Sequence, residues 1–360
     1  MSAPSTGSGT GTIPATEHAP SRRAVRAGGY LRYLGGRLLG MVLVLLVIAL
    51  ISYAIFYLLP ANPAQLSCGR PCTPDRLAQA EAFMGYDQPW WRQFLGFLGG
   101  LVAGRTYGTG AAAIQCAAPC FGYSFRLNQP VTELIVDRIP VTFSIALGAA
   151  VLWLLIGVAT GVVSALKRGS LTDRVLMTGA VAGVSAPAYL VGLLGILLFG
   201  FTLNMVPVSG YVPLTESPVD WAWHLVLPWL VLAFLNAALY TRLTRGEMLE
   251  VMGEDYIRTA RAKGLGEGRV VRHHALRNVL IPVATVFGLD LGGLLGGAVI
   301  TEKVFSMQGL GALLLDAVGN LDLQVLVGVT LFSAFVIVVA NFVVDLTYGL
   351  LDPRVGTRSG

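Results

Sequence analysis

A run of 22 uncharged residues, LLGMVLVLLVIALISYAIFYLL at positions 38–59, constrains the fold of this chain more than any other feature. About 20 apolar residues let a helix cross a bilayer, and a helix satisfies all its backbone groups there. Five further apolar runs predict spans at 141–166, 175–203, 225–240, 279–300 and 325–350. The chain is therefore predicted to be an all-α polytopic membrane protein with six transmembrane helices, the third able to kink at Pro187 and the fourth the shortest.

The composition agrees with this class. The chain is 54% hydrophobic and only 12% charged, whereas a soluble domain carries about 25% charged residues. Its net charge of +5 is not interleaved with aromatic residues as a nucleic-acid groove requires. We therefore expect the lipid bilayer as a partner and no nucleic acid.

The positions of Lys and Arg predict the orientation. With the N-terminus inside, 18 of the 25 Lys and Arg residues fall on inner segments, and the two short outer loops hold only Lys303. Short loops decide orientation because basic residues stay on the cytoplasmic side. Both termini are therefore expected to be cytoplasmic.

These predictions divide the chain into five parts. The Ser-, Thr-, Gly- and Pro-rich start is too poor in apolar residues to fold, so it is expected to be disordered. The predicted parts are a disordered cytoplasmic tail at 1–30, a first span at 31–59, an extracytoplasmic domain at 60–138, a transmembrane core at 139–352 with a cytoplasmic loop at 243–278, and a cytoplasmic tail at 353–360.

All four cysteines fall in the predicted outer domain, as two C-x-x-x-C pairs, Cys68 with Cys72 and Cys116 with Cys120. An oxidising compartment favours disulfides. A metal or cluster site and free thiols remain alternatives, and four cysteines allow three connectivities.

Sequence motifs for chemistry are missing. There is no G-x-x-x-x-G-K-[ST], no H-E-x-x-H and no G-x-S-x-G, so we expect no ATP site, metal site or catalytic site in this chain. Asp290 is the one ionisable residue near the middle of a predicted span. Such a residue is a candidate for a transport pathway, or it packs against a partner.

The cytoplasmic loop contains a short helical pattern at 256–263. Asp255 is a candidate N-cap, and Gly264 and Gly266 are stop signals. The small residues Thr259, Ala260 and Ala262 would let another protein approach closely. A solvated basic loop is the alternative, and a second helix is predicted to run from Glu267 into the fifth span.

At these residues the chain resembles a known family. The stretch YIRTARAKGL at 256–265 is similar to the cytoplasmic loop of binding-protein-dependent ABC importer permeases of the dipeptide, oligopeptide and nickel type. The family pattern is Glu-Ala-Ala, three residues, then Gly. Arg258 replaces the Glu here, and Gly264 holds the Gly position. Segments such as MVPVSGYVP and VDLTYGLLDPRV extend the resemblance over most of 30–356.

The resemblance implies a type I ABC importer permease fold with a long extracytoplasmic insertion between the first two spans, in the inner (plasma) membrane. It implies four partner subunits: a second homologous permease, two cytoplasmic ATPases that bind the ATP, and an extracytoplasmic solute-binding protein. The chain itself would be no enzyme and hold no cofactor. Peptides are the expected substrate, with nickel chelates, glutathione or oligosaccharides as alternatives. A self-sufficient channel or secondary carrier is the alternative of another class.

The resemblance also implies roles for particular residues. Asp290 and Glu302 are expected in the translocation pathway or its gate. The helix expected to couple to the ATPase comprises Tyr256, Ile257, Arg258, Thr259, Ala260, Arg261, Ala262, Lys263 and Gly264.

Overall fold

A computed structural model of the chain describes residues 22–55, 88–108 and 113–351, together with 65, 72–75, 77, 78 and 81; for 22–34 and 345–351 it describes the backbone alone. Most of the described chain is helical. The helices are α1 (Arg22–Tyr53), α2 (Trp90–Ala103), α3 (Val131–Leu166), α4 (Leu171–Ser185), α5 (Ala188–Gly195), α6 (Pro218–Val251), α7 (Asp255–Ala262), α8 (Glu267–Arg269), α9 (Leu276–Leu295), α10 (Val299–Val304), α11 (Leu310–Asn320) and α12 (Leu323–Leu351). Two π-helical segments, Ile196–Thr202 and Val270–Ala275, continue α5 and join α8 to α9.

Five of the described helices are long and apolar enough to cross a membrane, and α4 with α5 gives a sixth if the pair is one bent span. That pair bends by 104° at its break. The break falls at Ala186 and Pro187, because the residue before a proline avoids helical geometry. The kink predicted at Pro187 is therefore present.

Four predicted boundaries need correction. The fourth span is not short, because the Ser217 hydroxyl caps α6 at Asp220 N (3.3 Å) and Pro218 starts the helix seven residues before the predicted position. Polar residues then extend α6 to Val251, beyond the predicted end at 240. The fifth span ends at Leu295 rather than 300, since Gly297 takes a φ of +139° that only glycine adopts readily. Helix α1 begins at Arg22, inside the segment predicted to be a tail; residues 1–21 lie outside the described residues, as does the predicted tail at 353–360.

The predicted helical fold class is confirmed, with one local exception in the segment between α1 and α3. Two short antiparallel ladders lie there, β1 (Arg105–Tyr107) with β2 (Ile114–Cys116), and β3 (Tyr123–Ser124) with β4 (Gln129–Pro130). A disulfide joins Cys116 to Cys120, at the end of β2. Cys72 is also disulfide-bonded, and Cys68 lies outside the described residues.

The core of the molecule forms where α3 and α6 lie against each other. Glycines allow this contact: a Cβ placed at Gly157 would be only 2.4 Å from the Cβ of Tyr240. Small residues at such a crossing let helix backbones approach closely in a membrane, where apolar side chains gain little from leaving lipid. Trp153 and Tyr240 are fully buried beside this crossing, and the same hydrophobic cluster continues to Ile257 in α7. The short helix is therefore part of the packed body.

Candidate functional site

Helix α7 follows α6 after a connection of three residues, Met252–Glu254. It is eight residues long, Asp255–Ala262, so the predicted helix at 256–263 is displaced by one residue. Glu254 occupies the N-cap position in place of Asp255. The helix ends because Gly264 takes a φ of +77°, and Leu265 N then donates to Ala260 O (3.3 Å).

One face of α7 packs against the body of the chain. Ile257 is fully buried and Ala260 nearly so. Both belong to the hydrophobic cluster that includes Met248 of α6 and Val270 and Val271 of the π-helical segment. An isolated helix of eight residues is unstable in water, so this packing is what holds α7 in place.

The other face of α7 is exposed. It presents Tyr256, Arg258, Thr259, Ala262 and Lys263. The three small residues that were expected to let another protein approach therefore lie on different faces. Thr259 and Ala262 lie on the free face. Ala260 lies on the packed face, because it is three residues from Ile257 and shares its helical stripe.

Two polar contacts fix the ends of α7. The guanidinium of Arg261 donates two hydrogen bonds to the Glu267 carboxylate, from Nη2 to Oε1 (2.6 Å) and from Nε to Oε2 (3.1 Å). Asn278 Nδ2 donates to the hydroxyl of Tyr256 (2.6 Å). Because Asn278 lies in α9, the second contact ties α7 to the helix that crosses the membrane next.

A polar clamp that sequence reasoning missed lies near the same end of the molecule. Asp173 of α4 accepts hydrogen bonds from Arg245 of α6 at Nε (2.8 Å) and Nη2 (3.0 Å). It also accepts from the hydroxyl of Ser164 in α3 and from Gly169 N (2.9 Å). Three helices are therefore joined through one buried carboxylate, two turns before α6 ends. We define this set, Asp173, Arg245, Ser164 and Gly169, as the polar clamp.

Asp290 lies in α9 and is half-buried. Its Oδ2 accepts a hydrogen bond from the hydroxyl of Tyr240 (2.8 Å), a residue that is itself fully buried in α6. Trp153 and Phe287 line the same region, with ring centroids 6.0 Å apart. This contact orients the carboxylate and joins α6 to α9, and it leaves part of the Asp290 side chain exposed.

Glu302 lies beyond α9, in α10, and is 0% exposed. Its Oε1 accepts from the Thr142 hydroxyl (2.8 Å) and Ala298 N (3.3 Å), and Oε2 accepts from Ala312 N (2.8 Å). Burial raises the pKa of Glu302, although the hydrogen bonds from Ala312 N and Thr142 oppose the shift. The carboxylate thus braces α3, α10 and α11. Its role in the pathway or the gate stays a prediction.

The arrangement is suited to mechanical work. Among the described residues, no group of three or more His, Cys, Asp and Glu side chains could hold a metal ion. The described site is a short helix, α7, with one packed face and one free face, and it is attached to the end of the long helix α6. Such an element can transmit a displacement from a bound protein to the helices behind it.

Comparison with known proteins gives concordant results. The model of the family described as "binding-protein-dependent transport system inner membrane component" matches residues 157–357, and a model of the N-terminal part of such membrane components matches 30–146. A putative peptide transport system permease protein of Brucella abortus is 39% identical over 312 residues, which cover 87% of this chain and 95% of that protein. The dipeptide transport system permease protein DppB of Escherichia coli K12 is 37% identical over 344 residues, 89% and 97% of the two chains.

A solved structure shares the fold. An inward-facing crystal structure of the MetNI methionine ABC transporter superimposes with a TM-score of 0.50 at 18% sequence identity, covering 61% of this chain and 97% of that one. The likeness extends to the arrangement of helices and carries no information about what this chain transports.

Proposed function

This chain belongs to the family of binding-protein-dependent transport system inner membrane components, and we propose that it is the permease subunit of an ATP-driven importer for peptides. The resemblance found in the sequence is thereby confirmed. The peptide substrate rests on relatives named as peptide and dipeptide permeases, which are 37–39% identical over most of the chain. Their names concern permease subunits, so ATP hydrolysis is assigned to separate partner subunits.

The proposed assembly contains a second, homologous permease, two ATPases beneath the membrane and a solute-binding protein outside it. We place six spans in this chain, counting α4 and α5 as one, with both termini in the cytoplasm and the segment between α1 and α3 outside. The support for this orientation is the distribution of Lys and Arg, which leaves only Lys303 in the short outer loops.

The observation that carries the mechanism is the division of α7 into a packed face and a free face. On the free face, Thr259 and Ala262 are small enough for a groove of the ATPase to close around the helix. On the packed face, Ile257 and Ala260 join α7 to the cluster that contains Met248 of α6. A movement of the ATPase on ATP binding would therefore reach α6 through direct contacts. Coupling of this kind requires two global states that the partner favours differently.

Charged residues on the free face contribute less to this contact. The ion pair between Arg258 and Asp255 (3.3 Å) is highly exposed on both sides, and exposed pairs are worth about 0–1 kcal/mol. The Arg261 guanidinium is already paired with Glu267. Shape at Thr259 and Ala262 is therefore expected to decide how α7 fits its partner.

Transport by the reconstituted assembly tests the proposal. Proteoliposomes holding this chain, the second permease and both ATPases should take up a dipeptide only with the binding protein outside and ATP at the ATPases. A matched sample carrying an ATPase variant unable to hydrolyse ATP should take up none. Uptake by this chain alone, driven by an ion gradient without ATP, would instead establish the channel or carrier alternative.

Asp290 is proposed to face the translocation pathway. A carboxylate exposed to hydrocarbon costs several kcal/mol, and the Asp290 side chain is only half-buried by its own chain. Its exposed part is therefore assigned to a polar pathway between the two permeases. The variant Asp290→Asn keeps an acceptor for the Tyr240 hydroxyl and removes the charge, so uptake should fall several-fold while assembly and thermal stability persist. If uptake is normal and thermal stability drops instead, Asp290 has only a packing role.

Glu302 is proposed to act on the outer gate indirectly. Its carboxylate is too deeply buried to touch a binding protein in this conformation, but it fixes the positions of α10 and α11 relative to α3 through the contacts described above. The proposed role is to keep the outer ends of these helices moving together.

A further inference from the structure

Helix α2 has two apolar faces, and the described chain covers only one of them. Phe94, Phe97 and Gly100 are buried against the rest of the molecule. A second stripe consists of Trp91, Leu95 and Val102, which lie on one side of the helix. All three are exposed, Trp91 at 46%, Leu95 at 60% and Val102 at 84%, whereas Leu98 between them packs partly against the buried cluster.

The exposed stripe has no charged residue and no hydrogen-bonding side chain except the indole N–H of Trp91. The one charged residue of the helix is Arg92, whose guanidinium lies 5.1 Å from the centroid of the Trp91 ring. Trp90 is half-exposed at the first position of the helix. Helices that are apolar all round are buried on every side. With 14 residues, α2 is about 21 Å long and too short to cross a bilayer.

The position of α2 along the membrane normal follows from its contacts with α1. The first apolar run covers residues 38–59, and Tyr53 is the sixteenth of its 22 residues. Because about 20 residues are needed to cross the hydrocarbon core, Tyr53 lies in the outer third of the first span. Its hydroxyl donates to Gln93 Oε1 (3.0 Å) and its ring lies 5.3 Å from that of Phe94, so α2 is held beside the outer part of that span.

The exposed stripe is also continuous with a surface that faces lipid. Leu50 and Ile51 are exposed on α1, on the same helix whose Ala49 and Tyr53 pack in one cluster with Phe94 and Phe97. Tryptophan prefers the membrane–water interface, since its ring is apolar and its indole N–H can bond to headgroups. An arginine beside it can reach lipid phosphates.

From these observations we propose that α2 is an interfacial helix: its stripe of Trp91, Leu95 and Val102 inserts into the phospholipid leaflet next to α1, with Trp90 and Arg92 at headgroup level. Helices of this kind lie in the interface plane with one apolar face embedded in the acyl region. The lipid contact would fix the segment that contains both β ladders against the membrane.

Quenching of tryptophan fluorescence by brominated lipids tests the proposal. The assembled importer is placed in nanodiscs with bromine at the 6,7 or the 11,12 position of the acyl chain. The variant Trp90→Phe/Trp91→Phe is compared with the unmodified chain, so that the difference spectrum reports these two residues. We expect this component to be quenched at least twofold, more by the 6,7 than by the 11,12 lipids, and to resist aqueous acrylamide.

Two further variants make the result decisive. Trp153→Phe serves as the control, because Trp153 is fully buried in the protein core and its component should escape lipid quenching. Leu95→Asp should reduce quenching of the Trp90 and Trp91 component, since a carboxylate lifts the stripe from the acyl region. The proposal is overturned if that component is quenched by acrylamide and not by bromine. It is also overturned if bromine has no effect until the binding protein is removed, which would make the stripe a protein-docking surface.

Discussion

Replacing Ile257 by alanine should separate ATP hydrolysis from transport. The side chain is fully buried between α7 and the bundle. Truncation to alanine removes three carbons, worth about 2.4 kcal/mol at about 0.8 kcal/mol each. The cavity adds to this, so about 3 kcal/mol is expected, within the range of about 2–5 kcal/mol for such changes.

Most of this loss should fall on the docking of α7, because Ile257 and Ala260 supply the buried contacts of that helix. With a factor of ten for about every 1.4 kcal/mol, the undocked population of α7 should rise about 100-fold. The matched control is Ile257→Val, which removes one carbon and should cost about 0.8 kcal/mol.

The assay combines two measurements on the reconstituted importer. Hydrogen exchange of the amides in α7 reports docking, and the ratio of dipeptide taken up to ATP hydrolysed reports coupling. Ile257→Ala should raise the exchange rate strongly and lower the ratio, while the ATPases continue to turn over; Ile257→Val should remain close to the unmodified chain. If Ile257→Ala exchanges faster and still transports with an unchanged ratio, the packed face of α7 does not transmit the movement.

Three other variants test the remaining contacts. Asp173→Asn should lower the midpoint of thermal unfolding of the detergent-solubilised chain, because it leaves Arg245 without its counter-charge. Replacing Asp173 and Arg245 together by leucine and methionine should lower the midpoint less, and an equal or greater loss would argue against the clamp. Gly157→Ala should lower the midpoint of thermal unfolding, because the added Cβ weakens the contact of α3 with α6. The control Gly179→Ala should leave this midpoint unchanged, since a Cβ there meets nothing within 4 Å. Equal midpoints for the two variants would refute the close crossing. Burial raises the pKa of Glu302 above its unfolded value, so this group stabilises the fold below pH of about 4.3, and the contribution is lost as pH rises through the folded pKa. Glu302→Gln should remove this dependence of the unfolding free energy on pH, measured between pH 4 and 8. An unchanged dependence would contradict the assignment.

The sequence predicts elements whose signals are local. Helix α7 is found to within one residue, because Gly264 supplies the positive φ that stops it. The break between α4 and α5 is found as well, since Pro187 removes a backbone donor at a known position. The end of α6 is missed, because the helix continues past the apolar run into polar residues that carry no hydropathy signal.

Contacts between distant residues are the part that the sequence does not predict. Asp173 and Arg245 are 72 positions apart, and Thr142 and Glu302 are 160 apart. Nothing in the local pattern indicates which acidic and basic residues will meet when α4 packs against α6. The same reason explains Ala260: helical spacing places it beside Ile257, but only the tertiary packing decides that this stripe faces the chain's own core.

The most direct test of the central claim is a cross-link from α7 to the ATPase in the assembled importer. Ala262→Cys places a thiol on the free face of α7, and Leu171→Cys is the matched control, an exposed site at the start of α4 on the same proposed side of the membrane. With a short photoreactive label on the thiol, the account predicts that Ala262→Cys captures an ATPase subunit in a yield that changes when ATP is added, and that Leu171→Cys does not. Labelling of lipid alone from Ala262→Cys, with no ATPase captured in either state, would contradict the account.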